Sequence, residues 1–353
     1  MKTIVIIGGG LCGLALGCAL RRRGVPVTLH EAGDYPRHKV CGEFLAGCHP
    51  SLLRQLAIEP ALATARRNDR CQWYHRERPV LNTALPKPVP SLSRFRLDAA
   101  LAVRFQELGG ELRTGSRIRG RSMQSPGYVD CSGRRPNPGS PWVGVKIHLR
   151  GIRLGADLEM HLGSHGYTGL CYVEDGCVNL CGLFHRDTLP ARTTSRVDYF
   201  AALLRANGLS LTAARVAECE TDPASFRAVA GLDYRLKPSR GAMPASPEQS
   251  GSTPRLGDAS GLTPPFTGNG MTLALESAAR AVPWLAAWAA TPNADWARTC
   301  REVARGERRG AGFRLLRARI MQSWLLNPRG QWTLATASRL RLLPFRLIYG
   351  MLH

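Results

Sequence analysis

Aromatic residues are scarce in this chain, at 7% of 353 positions, and only five of its 48 basic residues are lysines: Lys2, Lys39, Lys87, Lys146 and Lys237. A nucleic-acid-binding surface needs a basic stripe interleaved with stacking aromatics, or a helix-turn-helix, zinc or RNA-recognition motif. The sequence carries none of these, so nucleic acid is the remote reading of its net charge of +22. No uninterrupted apolar run reaches the length of a membrane-spanning helix. Met1 to Ile7 leads straight into glycines, without the longer apolar stretch and cleavage site of a secretory signal. Eleven cysteines are too few for a disulfide scaffold and odd in number, which fits a reducing compartment. Cys171, Cys177 and Cys181 lie close together, but the second gap is C-x3-C and no partner pair follows. They are expected to be small buried apolar residues rather than zinc ligands, and no metal is expected. The expected location is cytoplasmic, with the option of peripheral attachment to the inner face of the membrane.

With 44% hydrophobic residues, the chain has the material for a sizeable core in one large domain or two interleaved ones. Its arginines are scattered, as a solvated surface requires, except near the C-terminus. From Arg298 to His353, twelve Arg stand against Glu302 and Glu307, a net of +10, nearly half of the total.

Thr3 to Ile7 is almost wholly apolar, the pattern of a parallel strand buried on both faces. Gly8-Gly9-Gly10-Leu11-Cys12-Gly13 follows, then an apolar helical stretch that ends at Arg21-Arg22-Arg23-Gly24, then a second strand over Val25 to Leu29. Glu31 stands 18 residues after Gly13. Strand, glycines, helix, strand and acid together make a dinucleotide-binding βαβ unit. Gly8 permits the tight turn, Gly10 lets the backbone approach a pyrophosphate, and Gly13 lets helix and strand pack closely. Glu31 can accept hydrogen bonds from a ribose diol, and the free amides at the helix start face the anion.

Far downstream stands Gly257-Asp258-Ala259-Ser260-Gly261, then Gly268-Asn269-Gly270-Met271 and a helical pattern from Thr272 to about Ala287. This stretch resembles the second flavin signature of the FAD-dependent monooxygenase and reductase superfamily with the p-hydroxybenzoate hydroxylase fold. The resemblance implies that Asp258 binds hydroxyls between the two halves of FAD and that Gly268, Asn269, Gly270 and Met271 run past the isoalloxazine ring. A helix starting near Gly270 would aim its positive end at the flavin and favour the anionic reduced form. Pro36-Arg37-His38-Lys39-Val40-Cys41-Gly42-Glu43 is similar to the geranylgeranyl-reductase-like branch, in which a Cys-Gly pair lies close to the flavin. Arg37 joins the cofactor candidates. Ser93-Arg94-Phe95-Arg96-Leu97-Asp98 resembles the helix start that touches the FAD pyrophosphate, which makes Arg94 a phosphate contact. Val129-Asp130-Cys131-Ser132-Gly133-Arg134 resembles a strand end near the cofactor. The likeness covers residues 1 to about 290. It departs at Ser250 to Leu256, which is polar and holds a Pro where the family has an apolar strand, so a short or edge strand is expected there.

Between Trp142 and Phe184 the apolar residues alternate: Val143, Val145, Ile147 and Leu149, then Leu158, Met160 and Leu162. This predicts an antiparallel sheet whose alternate positions line a substrate cavity or face solvent, with turns at Gly166-Tyr167 and Asp175-Gly176. The expected fold class is α/β, a Rossmann-like FAD-binding domain with an inserted antiparallel sheet and a helical C-terminus. The FAD-binding domain takes residues 1–70, 93–140 and 241–290, the substrate domain 71–92 and 141–240, and the basic helical region 291–353.

One dinucleotide fingerprint leaves no second domain for NAD(P)H, so electrons enter by transient nicotinamide contact or from a protein donor, with NAD(P)H the expected source. A tryptophan-halogenase W-x-W-x-I-P stretch is absent. The resemblance implies an FAD-dependent oxidoreductase acting on a hydrophobic small molecule such as a polyketide, isoprenoid or lipid. Hydroxylation and double-bond reduction both stand open. Cys41 is the catalytic candidate, as an acid or a tuner of the flavin. His38, His148, His161, His165 and His185 are possible proton donors and Asp98 and Glu43 possible carboxylate partners, but their spacing selects none. The Arg, Leu, Trp and Phe of Phe313 to Leu326 and Ser338 to Ile348 have the composition of a helix lying on an anionic bilayer.

Overall fold

The computed structural model describes residues 1–118, 125–134, 136–190, 193, 195–232, 253–261, 264, 266 and 268–352. Its first strand, β1 (Ile4–Ile7), is flanked in parallel by β2 (Val27–His30) and β6 (Tyr128–Asp130), and β5 (Glu111–Arg113) completes the order β5-β2-β1-β6. The helix α1 (Leu11–Arg22) is buried at every position from Leu11 to Leu20. That all-round burial follows from its place between the sheet, α2 (Pro50–Leu56), α3 (Arg94–Glu107) and α6 (Gly270–Ala290). Arg21 and Arg22 close its carbonyl end, where a cation is stabilised.

The second sheet has seven strands in the order β11-β7-β10-β9-β8-β3-β4. They are β3 (Arg66–His75), β4 (Arg78–Ser91), β7 (Trp142–Arg150), β8 (Leu158–Gly163), β9 (Gly166–Tyr172), β10 (Val178–His185) and β11 (Glu220–Leu232). Pairing is antiparallel throughout except for β3 with β8, which run parallel. The strands therefore begin at Arg66, and two helices, α4 (Arg196–Ala206) and α5 (Ser210–Ala217), follow the alternating stretch within the 141–240 substrate domain, where only antiparallel sheet is expected. The turn before β9 falls at Ser164–His165, with Gly166 already in the strand. The polar segment before Gly257 survives as a single parallel bridge between Arg255 and Asp130, the short strand that its composition predicts; residues 250–252 lie outside the described residues.

Period two in β7 does not separate core from solvent. Val143, Val145, Ile147 and Leu149 pack with Phe200, Leu203, Leu204 and Leu209 of the α4–α5 layer. The alternate residues Lys146 and His148 are buried too, because that face is pressed against the segment around Glu43.

The C-terminal region forms α7 (Trp296–Leu325), α8 (Pro328–Arg339) and α9 (Phe345–Leu352). The 338–348 stretch is thus not one helix but the end of α8, a turn and the start of α9. α7 packs on α6, α8 on β4, and α9 on both α7 and β4.

Candidate functional site

The two sheets meet along a cleft of about 1170 Å³. Single-ligand pockets run from roughly 300 to 1,000 Å³, so this one has room for a dinucleotide and a further small molecule. At one end, β1 turns into α1 through Gly8, whose φ of +102° suits glycine. A Cβ at Gly8 would lie 2.4 Å from Cys131 O, and one at Gly13 would lie 2.0 Å from Gly8 O. Both glycines are thus required by the protein's own backbone. At Gly10 the nearest atom to such a Cβ is Lys39 Nζ at 3.7 Å, and Gly10 lines the cleft. The protein itself does not need that space. No side chain caps the N-terminus of α1, so its first amides have no side-chain acceptor.

Glu31 is buried at the end of β2. Its carboxylate accepts from Gly9 N at 2.8 Å, Gly33 N at 2.9 Å and Arg37 Nη2 at 2.6 Å. Three of about four acceptor positions are used, which leaves one for a sugar hydroxyl. The Nε of Arg37 is buried beside this carboxylate with no partner of its own.

Arg94 stands at the start of α3, with Ser93 as N-cap, its Oγ accepting from Arg96 N. Its Nε and Nη2 fork onto Asp98 at 2.7 and 2.8 Å, and Lys39 Nζ reaches the same carboxylate at 2.9 Å. Burial would raise the Asp98 carboxyl, but Arg94 and Lys39 outweigh it and hold it below the ordinary range. Arg94 thus lines the cleft as a fixed cation.

On the opposite wall, Asp258 is wetted by the cleft yet deep among protein atoms. That depth raises its carboxyl to about 6, against the pull of Arg94 and Arg134. Gly268 has a φ of +67°, Asn269 ties its Nδ2 to Leu352 O at 2.6 Å, and Gly270 and Met271 open α6, whose N-terminus also has no side-chain cap. Two uncapped helix starts therefore face one cleft, and such termini favour anions.

Cys41 lies on the wall between these ends. Its Sγ accepts from Glu43 N at 3.4 Å and its carbonyl from Asn179 Nδ2 at 3.0 Å. Burial raises its thiol, with Arg94 opposing, so it is held protonated.

Beneath it runs a chain of buried charge that spacing did not reveal. Glu43 is fully buried with a φ of +58°, a left-handed conformation that costs an L-residue about 1–2 kcal/mol. Lys146 Nζ donates to Glu43 Oε1 at 2.9 Å, His148 Nε2 lies 2.7 Å from Oε2, and Arg94 N donates to Oε1 at 2.9 Å. Burial would raise this carboxyl, but His148 and Lys146 outweigh it and keep it ionised. Lys146 Nζ is also 3.2 Å from His38 Nδ1, and His38 Nε2 is 3.8 Å from Asp222 on the surface. Burial and the Lys146 charge lower His38 to about 4, so it is neutral.

His38, His148 and Asp222 bring ligand atoms within 4.8 Å of one another, but the Lys146 ammonium beside His38 already serves as the cation there. Among the described residues no cysteine cluster of that kind occurs. Of the five candidate histidines, His38 and His148 reach this network. His161 is engaged with Glu159 and His185 with Asp187, at other places.

The remaining end of the cleft is apolar, walled by Met160, Leu183, Phe266 and Phe345 beside Trp73 and Tyr167. Trp73 stands edge-on to Phe266 and Phe345 at 5.5 and 6.3 Å, and Tyr167 edge-on to Phe266 at 5.9 Å.

A family model described as an NAD(P)-binding Rossmann-like domain matches residues 6–40. No curated relative matches by sequence. Several solved structures superpose over nearly the whole chain. The flavin-dependent brominase Bmp2 is 17% identical, with 99% of this chain and 94% of that one covered and a TM-score of 0.74. HpxO of Klebsiella pneumoniae, complexed with FAD and uric acid, is 16% identical over 99% and 96%, TM-score 0.72. A geranylgeranyl bacteriochlorophyll reductase-like protein from Thermoplasma acidophilum is 15% identical over 100% and 95%, TM-score 0.73. The chain has the fold of these proteins: a Rossmann-like domain, a second mostly antiparallel sheet and C-terminal helices.

Proposed function

We propose that this protein is an FAD-dependent oxidoreductase that hydroxylates a hydrophobic small molecule, with NAD(P)H as electron donor. The observation that carries this reading is the meeting of two uncapped helix N-termini in one cleft, with the unfilled cradle at Gly10 at one end and an apolar chamber at the other. Solved structures of this fold include one complexed with FAD. When bound, FAD supplies the redox chemistry, taking electrons from the donor and passing them on.

The chain's own residues bind, orient and exclude water. The amides of α1 and the Arg94 guanidinium hold the pyrophosphate, Glu31 and Arg37 the ribose, and Asp258 the hydroxyls between the two halves. Gly268 to Met271 bring the start of α6 to the ring, favouring negative charge there. Trp73, Phe266 and Phe345 keep water from the substrate, which strengthens every polar interaction in the chamber. Glu43 is a positioning residue: through Lys146, His148 and Arg94 N it fixes the Cys41 segment against β7.

Double-bond reduction is the second reading, favoured by Cys41, whose neutral thiol can donate a proton to a substrate carbon. The test begins with the visible spectrum of the purified protein after FAD addition and desalting. A retained flavin band that bleaches on anaerobic NADPH addition is expected, and a protein left colourless overturns the reading. Oxygen consumed in step with product supports hydroxylation. Product formed without oxygen supports reduction instead.

A further inference from the structure

Single exposed apolar side chains are ordinary on a protein surface, whereas a cluster of them marks a contact. Of the twelve large apolar side chains exposed among the described residues, eight lie between Leu316 and Met351. Leu316, Ile320 and Trp324 recur every four residues along one face of α7, and Trp324 is 48% exposed. Leu347 and Met351 do the same on α9. Arg317 of α7 donates to Met351 O at 3.4 Å, so the two stripes lie side by side. Trp332, 64% exposed, projects from α8, and Leu340 and Leu342 from the turn that leads to α9.

The charge of this region has one sign. After Glu307 the chain holds nine Arg and no Asp or Glu. Arg314 is paired with Glu276, but Arg317, Arg329, Arg339, Arg341 and Arg346 are exposed among the apolar residues just named. A purely polar acidic surface would satisfy the arginines and leave two exposed Trp and six aliphatic side chains in water. A bilayer with anionic headgroups satisfies both, because Trp sits at the headgroup level, the aliphatic residues enter the acyl boundary and Arg meets phosphate.

We propose that the outer face of α7, α8 and α9 docks on an anionic lipid bilayer. Helix α9 gives the docking its meaning. Its inner residues Phe345, Ile348, Tyr349 and Leu352 line the cleft, while Arg346, Leu347 and Met351 face out. One helix, roughly 10 Å across, separates the bilayer from the apolar chamber. A water-insoluble substrate has a short path from lipid to chamber. This last step rests on the proposed oxidoreductase reading, whereas the docking does not and is measurable on colourless protein.

The test is co-sedimentation of the full-length protein with vesicles of phosphatidylcholine alone or mixed equally with phosphatidylglycerol, at low and high salt. The protein is expected to pellet with the anionic vesicles and stay in solution with the neutral ones. The triple variant Arg317→Gln, Arg341→Gln, Arg346→Gln is expected to weaken anionic binding on the order of a hundredfold. The double variant Trp324→Ser, Trp332→Ser is expected to leave only a weak, salt-released association. The control Arg23→Gln, Arg205→Gln, which removes the same kind of charge elsewhere, is expected to bind like the parent. Circular dichroism checks that each variant is folded. The proposal is overturned if the parent stays in the supernatant with anionic vesicles, or if the control weakens binding as much as the triple variant. It is also overturned if polyglutamate or duplex DNA displaces the protein as readily as added anionic vesicles, or if light scattering finds a dimer that the Trp variant dissociates.

Discussion

At the scale of single residues, the glycines of the first turn divide by what forbids a side chain. At Gly8 and Gly13 it is the protein's own backbone, and at Gly10 the protein offers no obstacle within 3.7 Å. Gly10→Ala is therefore expected to keep the parent melting temperature and to lose FAD affinity by about ten- to a hundredfold, the worth of a charge-assisted hydrogen bond. Gly13→Ala is expected to lower the melting temperature itself. Equilibrium dialysis and thermal melts check both, and an unchanged FAD affinity in Gly10→Ala would remove the pyrophosphate from that place. Lys146 is the residue that sequence reasoning passed over, because a lysine at an alternate strand position reads as solvent-facing. Removing it leaves the buried Glu43 carboxylate without its ammonium partner, held only by His148 and Arg94 N. Lys146→Met is expected to destabilise the protein by about 3–5 kcal/mol, and adding Glu43→Gln to recover most of that loss. Urea unfolding of the single and double variants measures the coupling.

At the scale of elements, α5 is fastened to the second sheet by charge as well as by apolar packing. Glu159 on β8 accepts from Arg215 Nη1 at 3.0 Å and Gly155 N at 2.6 Å, and lies 2.9 Å from His161 Nε2, whose ring stacks on Tyr74. Burial would raise the Glu159 carboxyl, but the His161 and Arg215 hydrogen bonds bring it from 4.5 down to about 2. A lowered carboxyl pKa stabilises the fold fully above the unfolded value and loses that contribution as pH falls through the folded one. The contribution at neutral pH is on the order of 3 kcal/mol. Glu159→Gln is expected to differ from the parent by that amount at pH 7, with the gap closing between pH 4.5 and 2. Urea midpoints across this range would show it, and a gap independent of pH would mean that the pairing contributes nothing specific. The neighbouring alternation in β7 shows why strand patterns mislead. Period two reports two faces, but not whether the second meets water or another layer.

At the scale of the whole molecule, the sequence by itself determined the βαβ unit around Gly8, Gly10, Gly13 and Glu31, the helix from Gly270, the presence of the second sheet and the one-signed C-terminus. These are local or periodic features, fixed by backbone sterics and by the burial of apolar residues close in the chain. Tertiary structure alone decided that Glu43, Lys146, His148, His38 and Asp222 join into one chain of charge, since they come from three separate stretches and none carries a spacing signal. It also decided that Lys39 reaches the Asp98 carboxylate that Arg94 already holds from one helical turn away, and that α9 has one face in the chamber and one outside. The physical reason is common to all three. Charge pairing and the sidedness of a packed helix depend on which distant segments a fold presses together, and sequence periodicity contains no term for that.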